Sequence, residues 1–159
     1  MTRGIASWVA IALSLAGVAC ADTSGVATIA TRPSAEFTVD VLPVLLRDCG
    51  FQACHGSQER FFRIYGPGRV RYDPLTEPLD HLTGFEQEFS FQFTKSMIDP
   101  FDPKESLLLR KPLAVEAGGA GHLGVDQYGR NVYRTPDDEG FVTIQRWVFN
   151  YAPQLAASQ

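Results

Sequence analysis

Two cysteines and a histidine form the short segment with the clearest chemical potential. Cys49 and Cys54 are separated by four residues, and His55 directly follows the second cysteine. Paired thiols have three ordinary uses: a disulfide, ligands for a metal ion, or thioether links to haem, in which case the adjacent histidine ligates the iron. The usual attachment motif is C-x-x-C-H. The longer spacing found here leaves the short-loop disulfide and the haem attachment both open.

Zinc and thiol exchange fit the rest of the sequence less well. A structural zinc ion takes a tetrahedral set of ligands, and beyond the cysteines the chain offers only scattered histidines at His55, His81 and His122. Thioredoxin-like chemistry uses C-x-x-C on a βαβ unit, and the sequence indicates neither.

The N-terminus predicts export. Arg3 precedes an apolar stretch over residues 5–19, which suits a signal peptide and is short for a membrane span. Residues 17–20 resemble a lipobox, in which Cys20 becomes the lipidated first residue; A-x-A cleavage, which would discard Cys20, is the alternative. We favour the lipoprotein, with residues 1–19 removed and 20–36 a flexible linker.

The net charge and the predicted export exclude some classes of function. The net charge of −4 argues against nucleic-acid binding, which needs a basic surface. Nothing beyond residue 20 is long and apolar enough to span a bilayer, so we expect membrane contact only through a lipid on Cys20. Export would place Cys49 and Cys54 in an oxidising periplasm, where free thiol pairs rarely persist.

The hydrophobic pattern predicts helices on both sides of the motif. Residues 37–47 carry a helical stripe interrupted by Pro43, where a helix would start late or kink. Residues 57–80 are rich in turn formers and predict a long loop. Thr83 with Glu86 forms a capping-box pattern, which favours a helix over residues 83–97.

The C-terminal half predicts two more helices and a glycine-rich loop. One helix begins at Asp102 and runs through Leu109, and another begins at residues 135–138, where acidic residues favour a helix start. Residues 117–124 are too rich in glycine for regular structure and present His122. We expect one domain over residues 37–152, with Trp147 packed on the first helix, and a disordered tail over 153–159.

Further candidate residues surround the motif. The long loop carries four arginines, and Arg is suited to pairing with the propionates of a haem; the candidates are Arg63 and Arg69, beside Arg60 and Arg71. His122, Met97 and His81 are the candidates for a second axial ligand. We favour His122, with Met97 as the alternative and an open iron site as the third option.

These features together resemble exported bacterial c-type cytochrome-like domains of planctomycete and myxobacterial envelope proteins. The resemblance begins at the helix of residues 37–49, which has the form F-x-x-x-V-x-P-V-L, and continues through Cys54-His55-Gly56. It returns in residues 102–113, in the Gly-Gly-Ala-Gly-His122 loop, and in the closing helix with Trp147. It implies an all-α, cytochrome c-like single domain with long loops and one haem c, held by Cys49, Cys54 and His55.

The function expected from this resemblance is electron transfer with a redox partner protein in the envelope. Two alternatives are kept. The chain could be a non-haem envelope lipoprotein or interaction module with a Cys49–Cys54 disulfide, or an enzyme with an open haem site, similar to a peroxidase. No hydrolytic triad or pair of catalytic carboxylates is apparent, so an electron carrier is favoured over an enzyme.

Overall fold

A computed structural model describes residues 33–122 and 132–159 of the chain. This part is rich in helices, which account for 46% of the chain, and contains no strands beyond one isolated bridge between Leu113 and Tyr133. The prediction of an all-helical architecture is confirmed at this level. No helix in the described ranges has both the length and the apolar character needed to cross a membrane.

The first helical segment passes through Pro43 without ending. Residues Phe37–Val41 form a π-helical turn that continues into α1 (Leu42–Asp48). The amide of Leu42 donates to the carbonyl of Phe37, five residues back, so the hydrogen-bond register shifts just before the proline. Pro43 then lies in the first turn of α1, where its missing N–H is tolerated.

The second helix, α2 (Gly84–Lys95), begins with the predicted capping box. The Thr83 side chain accepts from the Glu86 amide at 3.2 Å, and the Glu86 carboxylate accepts from the Thr83 amide at 2.9 Å. The helix ends before Met97, which lies in the turn that follows. No regular element lies between residues 57 and 83, in agreement with the predicted long loop.

The helix predicted from Asp102 is broken into two short pieces. A 3-10 turn covers Pro103–Glu105, and α3 covers only Leu107–Arg110. The break is at Ser106, whose backbone is extended and whose fully buried hydroxyl accepts from the amide of Asp99 at 3.0 Å. This tertiary hydrogen bond outweighs the local helical preference of residues 103–110.

The last helix, α4 (Glu139–Ala156), packs across the first segment. Asp138 precedes it and accepts from the amides of Arg134 and Thr135, as the acidic start predicted. The Trp147 ring, 1% exposed, lies 5.3 Å from the Phe37 ring, which confirms the predicted contact. Burial of large apolar side chains of this kind contributes about 1.5–3 kcal/mol each and fixes the two segments together.

The structure describes the predicted C-terminal tail but not the predicted signal peptide. The expected disorder of residues 153–159 is wrong for 153–156, since α4 continues past Pro153. Buried Ala152 and the core contact of Leu155 hold this last turn, which compensates for the hydrogen bond lost at the proline. The predicted signal peptide, most of the linker, and Cys20 lie outside the described residues, as do residues 123 and 124 of the glycine-rich loop.

Candidate functional site

The cysteine motif folds into a tight turn at the end of α1. The Cys49 amide donates to Leu45 and extends the helix, and the His55 amide donates back to the Cys49 carbonyl at 3.0 Å. The residues between the cysteines therefore loop out, and residue 55 returns to residue 49. Gly56 permits this closure, because a Cβ at that position would lie 2.0 Å from the Gly50 carbonyl oxygen.

His55 is oriented by a hydrogen bond to the backbone. Its Nδ1 lies 3.0 Å from the carbonyl oxygen of Phe62, and the two rings meet edge to face at 4.6 Å. A carbonyl oxygen can only accept, so Nδ1 carries the proton and Nε2 keeps its lone pair. Metal-ligating histidines are commonly oriented in this way.

Burial lowers the pKa of His55 below its ordinary value, and the neighbouring His122 and Arg60 act in the same direction. The hydrogen bond to Phe62 opposes this change without reversing it. The neutral imidazole, which is the form that can bind a metal ion, is therefore favoured.

The motif faces a cavity of about 250 Å³ with mostly apolar walls. Both thiols and both His55 and His122 line it. Its apolar walls are Ala53, Phe61, Phe62, Met97, Leu107, Leu108, Pro112 and Val132, and its charged lining residues are Asp48, Arg60 and Lys111. The cavity opens to solvent beside Phe61, which is 75% exposed.

His122 lies beside His55 at the cavity. The two ring centroids are 5.8 Å apart and the ring planes are nearly perpendicular, at 83°. The two rings are therefore neighbours in an edge-to-face arrangement at the cavity wall.

The glycine-rich segment brings His122 to this position. Gly118 adopts a left-handed backbone at φ 93°, and the Gly119 amide donates to Ala114 at 2.9 Å. A Cβ at residue 119 would lie 1.9 Å from the Leu113 carbonyl oxygen, so the close return of the chain needs glycine.

Of the other two ligand candidates, one lies at the cavity. Met97 lines it and also packs on the hydrophobic core, so both of its predicted uses stay compatible with its position. His81 is exposed and is not among the lining residues; its carbonyl accepts from Arg71.

The arginines chosen from the sequence are not the ones that line the cavity. Arg69 donates to the carbonyls of Gly68 and Leu46 and lies over the Phe51 ring at 4.9 Å, while Arg63 donates to the carbonyl of Arg60. The lining cations are Arg60 and Lys111. Lys111 was missed because it lies far along the chain, at the end of α3; its position directly after the Leu-Leu-Leu-Arg segment was the available signal.

Both cysteines are present as free thiols. Burial raises the pKa of Cys49 to about 12, and the nearby Asp48 and Cys54 add to this effect. Cys49 is therefore a protonated, half-buried thiol that faces an apolar space. Such a thiol reacts poorly with dissolved molecules, because the thiolate is the reactive form. Its chemistry is therefore limited to groups that enter the cavity.

Protein-family models, curated proteins and solved structures were each searched, and none matches this chain. Among the described residues, no three His, Cys, Asp or Glu side chains form a group able to hold a metal ion.

Proposed function

We propose that this protein is a single-haem c-type cytochrome that transfers electrons in the cell envelope. One observation carries the proposal: the motif residues Cys49, Cys54 and His55 line the same mostly apolar cavity as His122, which is 67 residues further along the chain. A cytochrome c-like fold is part of the proposal, and the helical architecture is compatible with it.

The donor set fits a haem group in three respects. Each thiol can add across one vinyl group, with sulfur bonding to one carbon and the thiol hydrogen going to the other, so no oxidant is needed. His55 offers the unprotonated Nε2 that an iron ligand requires. Apolar walls suit the macrocycle, while Arg60 and Lys111 are the lining cations that suit its carboxylates.

Haem iron, when bound, supplies a one-electron couple between its ferrous and ferric states. The residues of the chain set the conditions for that couple. Phe62 holds the His55 ring in one orientation, and the aromatic and aliphatic walls give the site an apolar lining. His122 is the proposed second ligand and Met97 is the alternative, with the methionine expected to give a higher potential.

The location and partner follow from the same proposal. A signal peptide ending near Cys20 would deliver the chain to the periplasm, and a lipid on Cys20 would anchor it there. The exposed Phe61 and Leu107 at the cavity mouth, together with Arg60 and Lys111, would meet the redox partner protein.

An absorption spectrum tests the proposal. We expect protein produced with c-type maturation enzymes to show a sharp α band on reduction, and to keep a haem-stain signal through denaturing electrophoresis. A folded, colourless protein in which Cys49 and Cys54 have become a disulfide would contradict it and would favour the non-haem interaction module. Peroxide turnover by attached haem would favour the open-site enzyme.

A further inference from the structure

Asp48 is the one acidic side chain among the described residues that line the cavity. It is the last residue of α1 and directly precedes Cys49. Its Oδ2 accepts from the Tyr133 hydroxyl at 2.9 Å, and its carboxylate accepts from Nε and Nη2 of Arg47 at 2.7 and 2.8 Å. Three hydrogen bonds therefore fix a charged group beside the Cys49 thiol.

The two partners of the Arg47–Asp48 ion pair differ in their exposure to solvent. The Arg47 side chain is 59% exposed, whereas that of Asp48 is 16% exposed. Arg47 does not line the cavity, so its positive charge lies largely in water, where solvent and salt screen it. The carboxylate lies at the cavity wall, where screening is weaker. The pair therefore turns its negative end toward the site.

The surrounding elements hold the carboxylate in place. Tyr133 is 4% exposed and is fixed by two backbone hydrogen bonds, from its own amide to Pro112 and from the amide of Ala114 to its carbonyl, both 2.9 Å. The first turn of α4 then packs onto the pair through Gly140. A Cβ at residue 140 would lie 2.6 Å from the Asp48 Oδ2 and 2.8 Å from the Tyr133 hydroxyl.

We propose that Asp48 is a fixed counter-charge that lowers the reduction potential of the bound haem, and that Tyr133 and Gly140 are the positioning residues that hold it. This inference rests on the proposed function. Oxidised iron carries one more positive charge than reduced iron, so a negative charge in the cavity wall stabilises the oxidised state. The effect needs no contact between Asp48 and the iron.

The midpoint potential of the haem-loaded protein measures this effect directly. We expect Asp48→Asn to shift the equilibrium toward the reduced form about tenfold, which is a rise of about 59 mV for a one-electron couple. Asp40→Asn is the matched control, because it removes the same charge from an exposed position on the same helical segment, outside the cavity lining. The control is expected to change the equilibrium less than threefold.

Two further variants separate charge from position. Tyr133→Phe keeps the carboxylate and removes its hydrogen bond, and Gly140→Ala pushes a methyl group against the pair. Both are expected to raise the potential, by less than Asp48→Asn does. They also keep the inference testable if Asp48→Asn fails to fold.

The proposed role of Asp48 would be overturned if Asp48→Asn carried haem with an unchanged potential. It would also be overturned if Asp40→Asn raised the potential by the same amount. A wild-type chain that takes up no haem would contradict the proposed function and this inference together. The two failures are therefore distinguishable.

Discussion

Two regions of this small protein collect polar side chains, and the two differ in burial: Arg71 and Glu86 are buried, whereas the polar residues that line the cavity are half-buried or exposed. In the loop–helix node around Arg71 and Glu86, the guanidinium makes five hydrogen bonds, two of them to the Glu86 carboxylate and three to loop carbonyls. Glu86 accepts in addition from the amides of Tyr72 and Thr83. The node is complete within the polypeptide, so its purpose is structural.

The cavity wall contrasts with that node. Its two free thiols and its two imidazoles line one mostly apolar space. Its cations, Arg60 and Lys111, are exposed and donate to the carbonyls of Ala53 and Gly121. Buried polar groups normally find their partners inside the fold. The loop–helix node is satisfied by its own hydrogen bonds, whereas the cavity brings two thiols and two imidazoles to one mostly apolar space.

The largest expected effect is on haem loading, from a substitution in the cavity that leaves the loop–helix node intact. Cys54→Ala should remove one of the two thioether links. The amount of haem-loaded protein should then fall sharply, because one thioether alone must hold the group. The circular dichroism of the chain should change little, since Cys54 is only half-buried. Ser57→Ala, in the same turn, is the control and should load normally.

The second prediction breaks the node and spares the cavity. Glu86→Ala should lower the free energy of unfolding by about 3–5 kcal/mol, because it leaves the Arg71 guanidinium buried without its charge partner. Denaturant unfolding measures this. Glu88→Ala, two residues along the same helix, should change the free energy by less than about 1 kcal/mol. Equal losses in both variants would show that the node is not special.

Acid should weaken the node in a defined range of pH. Burial alone would raise the pKa of Glu86, but the hydrogen bonds from Arg71, Thr83 and Tyr72 outweigh it and lower the pKa to about 2. A lowered pKa in the folded state gives stability that is present above the unfolded pKa of 4.5 and is lost as the pH falls toward 2. The loss should be roughly 3 kcal/mol.

Glu86→Gln supplies the control for this pH dependence. Its unfolding free energy should vary less between pH 5 and pH 2 than that of the wild type, since residue 86 no longer titrates. A wild-type profile that is parallel to that of Glu86→Gln would contradict the assignment of the acid sensitivity to the node.

The smallest effect concerns the second ligand and sharpens the account of the cavity. In haem-loaded protein, His122→Ala should change the visible and near-infrared spectrum, whereas Met97→Leu should preserve it and alter only packing. The opposite result would assign the ligand to Met97. Neither variant should remove the covalent haem, because the thiols and His55 remain.

Local patterns were predictable from the sequence, and long-range partners were not. The Thr83–Glu86 capping box could be predicted because all of its atoms lie within four residues. The second role of Glu86, with Arg71, joins residues 15 apart across a loop that has no periodic pattern. The same limit explains why Ser106 breaks a predicted helix: its partner, the amide of Asp99, is not visible in helix propensity.

The candidate site follows the same rule. Cys49, Cys54 and His55 are adjacent enough in sequence to be recognised together, and His122 could be proposed from its glycine neighbours. The cations that line the cavity could not be identified from the sequence, because composition alone does not distinguish Arg63 and Arg69 from Arg60 or from the distant Lys111. Asp48 was missed, although an acidic residue in the last turn of a helix opposes the macrodipole, and this was the available signal.

The central claim is that the cysteine motif carries a covalent haem, and the intact mass of the mature protein tests it most directly. Protein exported by cells that contain the c-type maturation enzymes should exceed the mass of the mature polypeptide, counted with its Cys20 lipid where that is attached, by one haem, with no thiol at Cys49 or Cys54 open to alkylation. The same mass without the haem, with those cysteines joined in a disulfide or fully alkylated, would contradict the account.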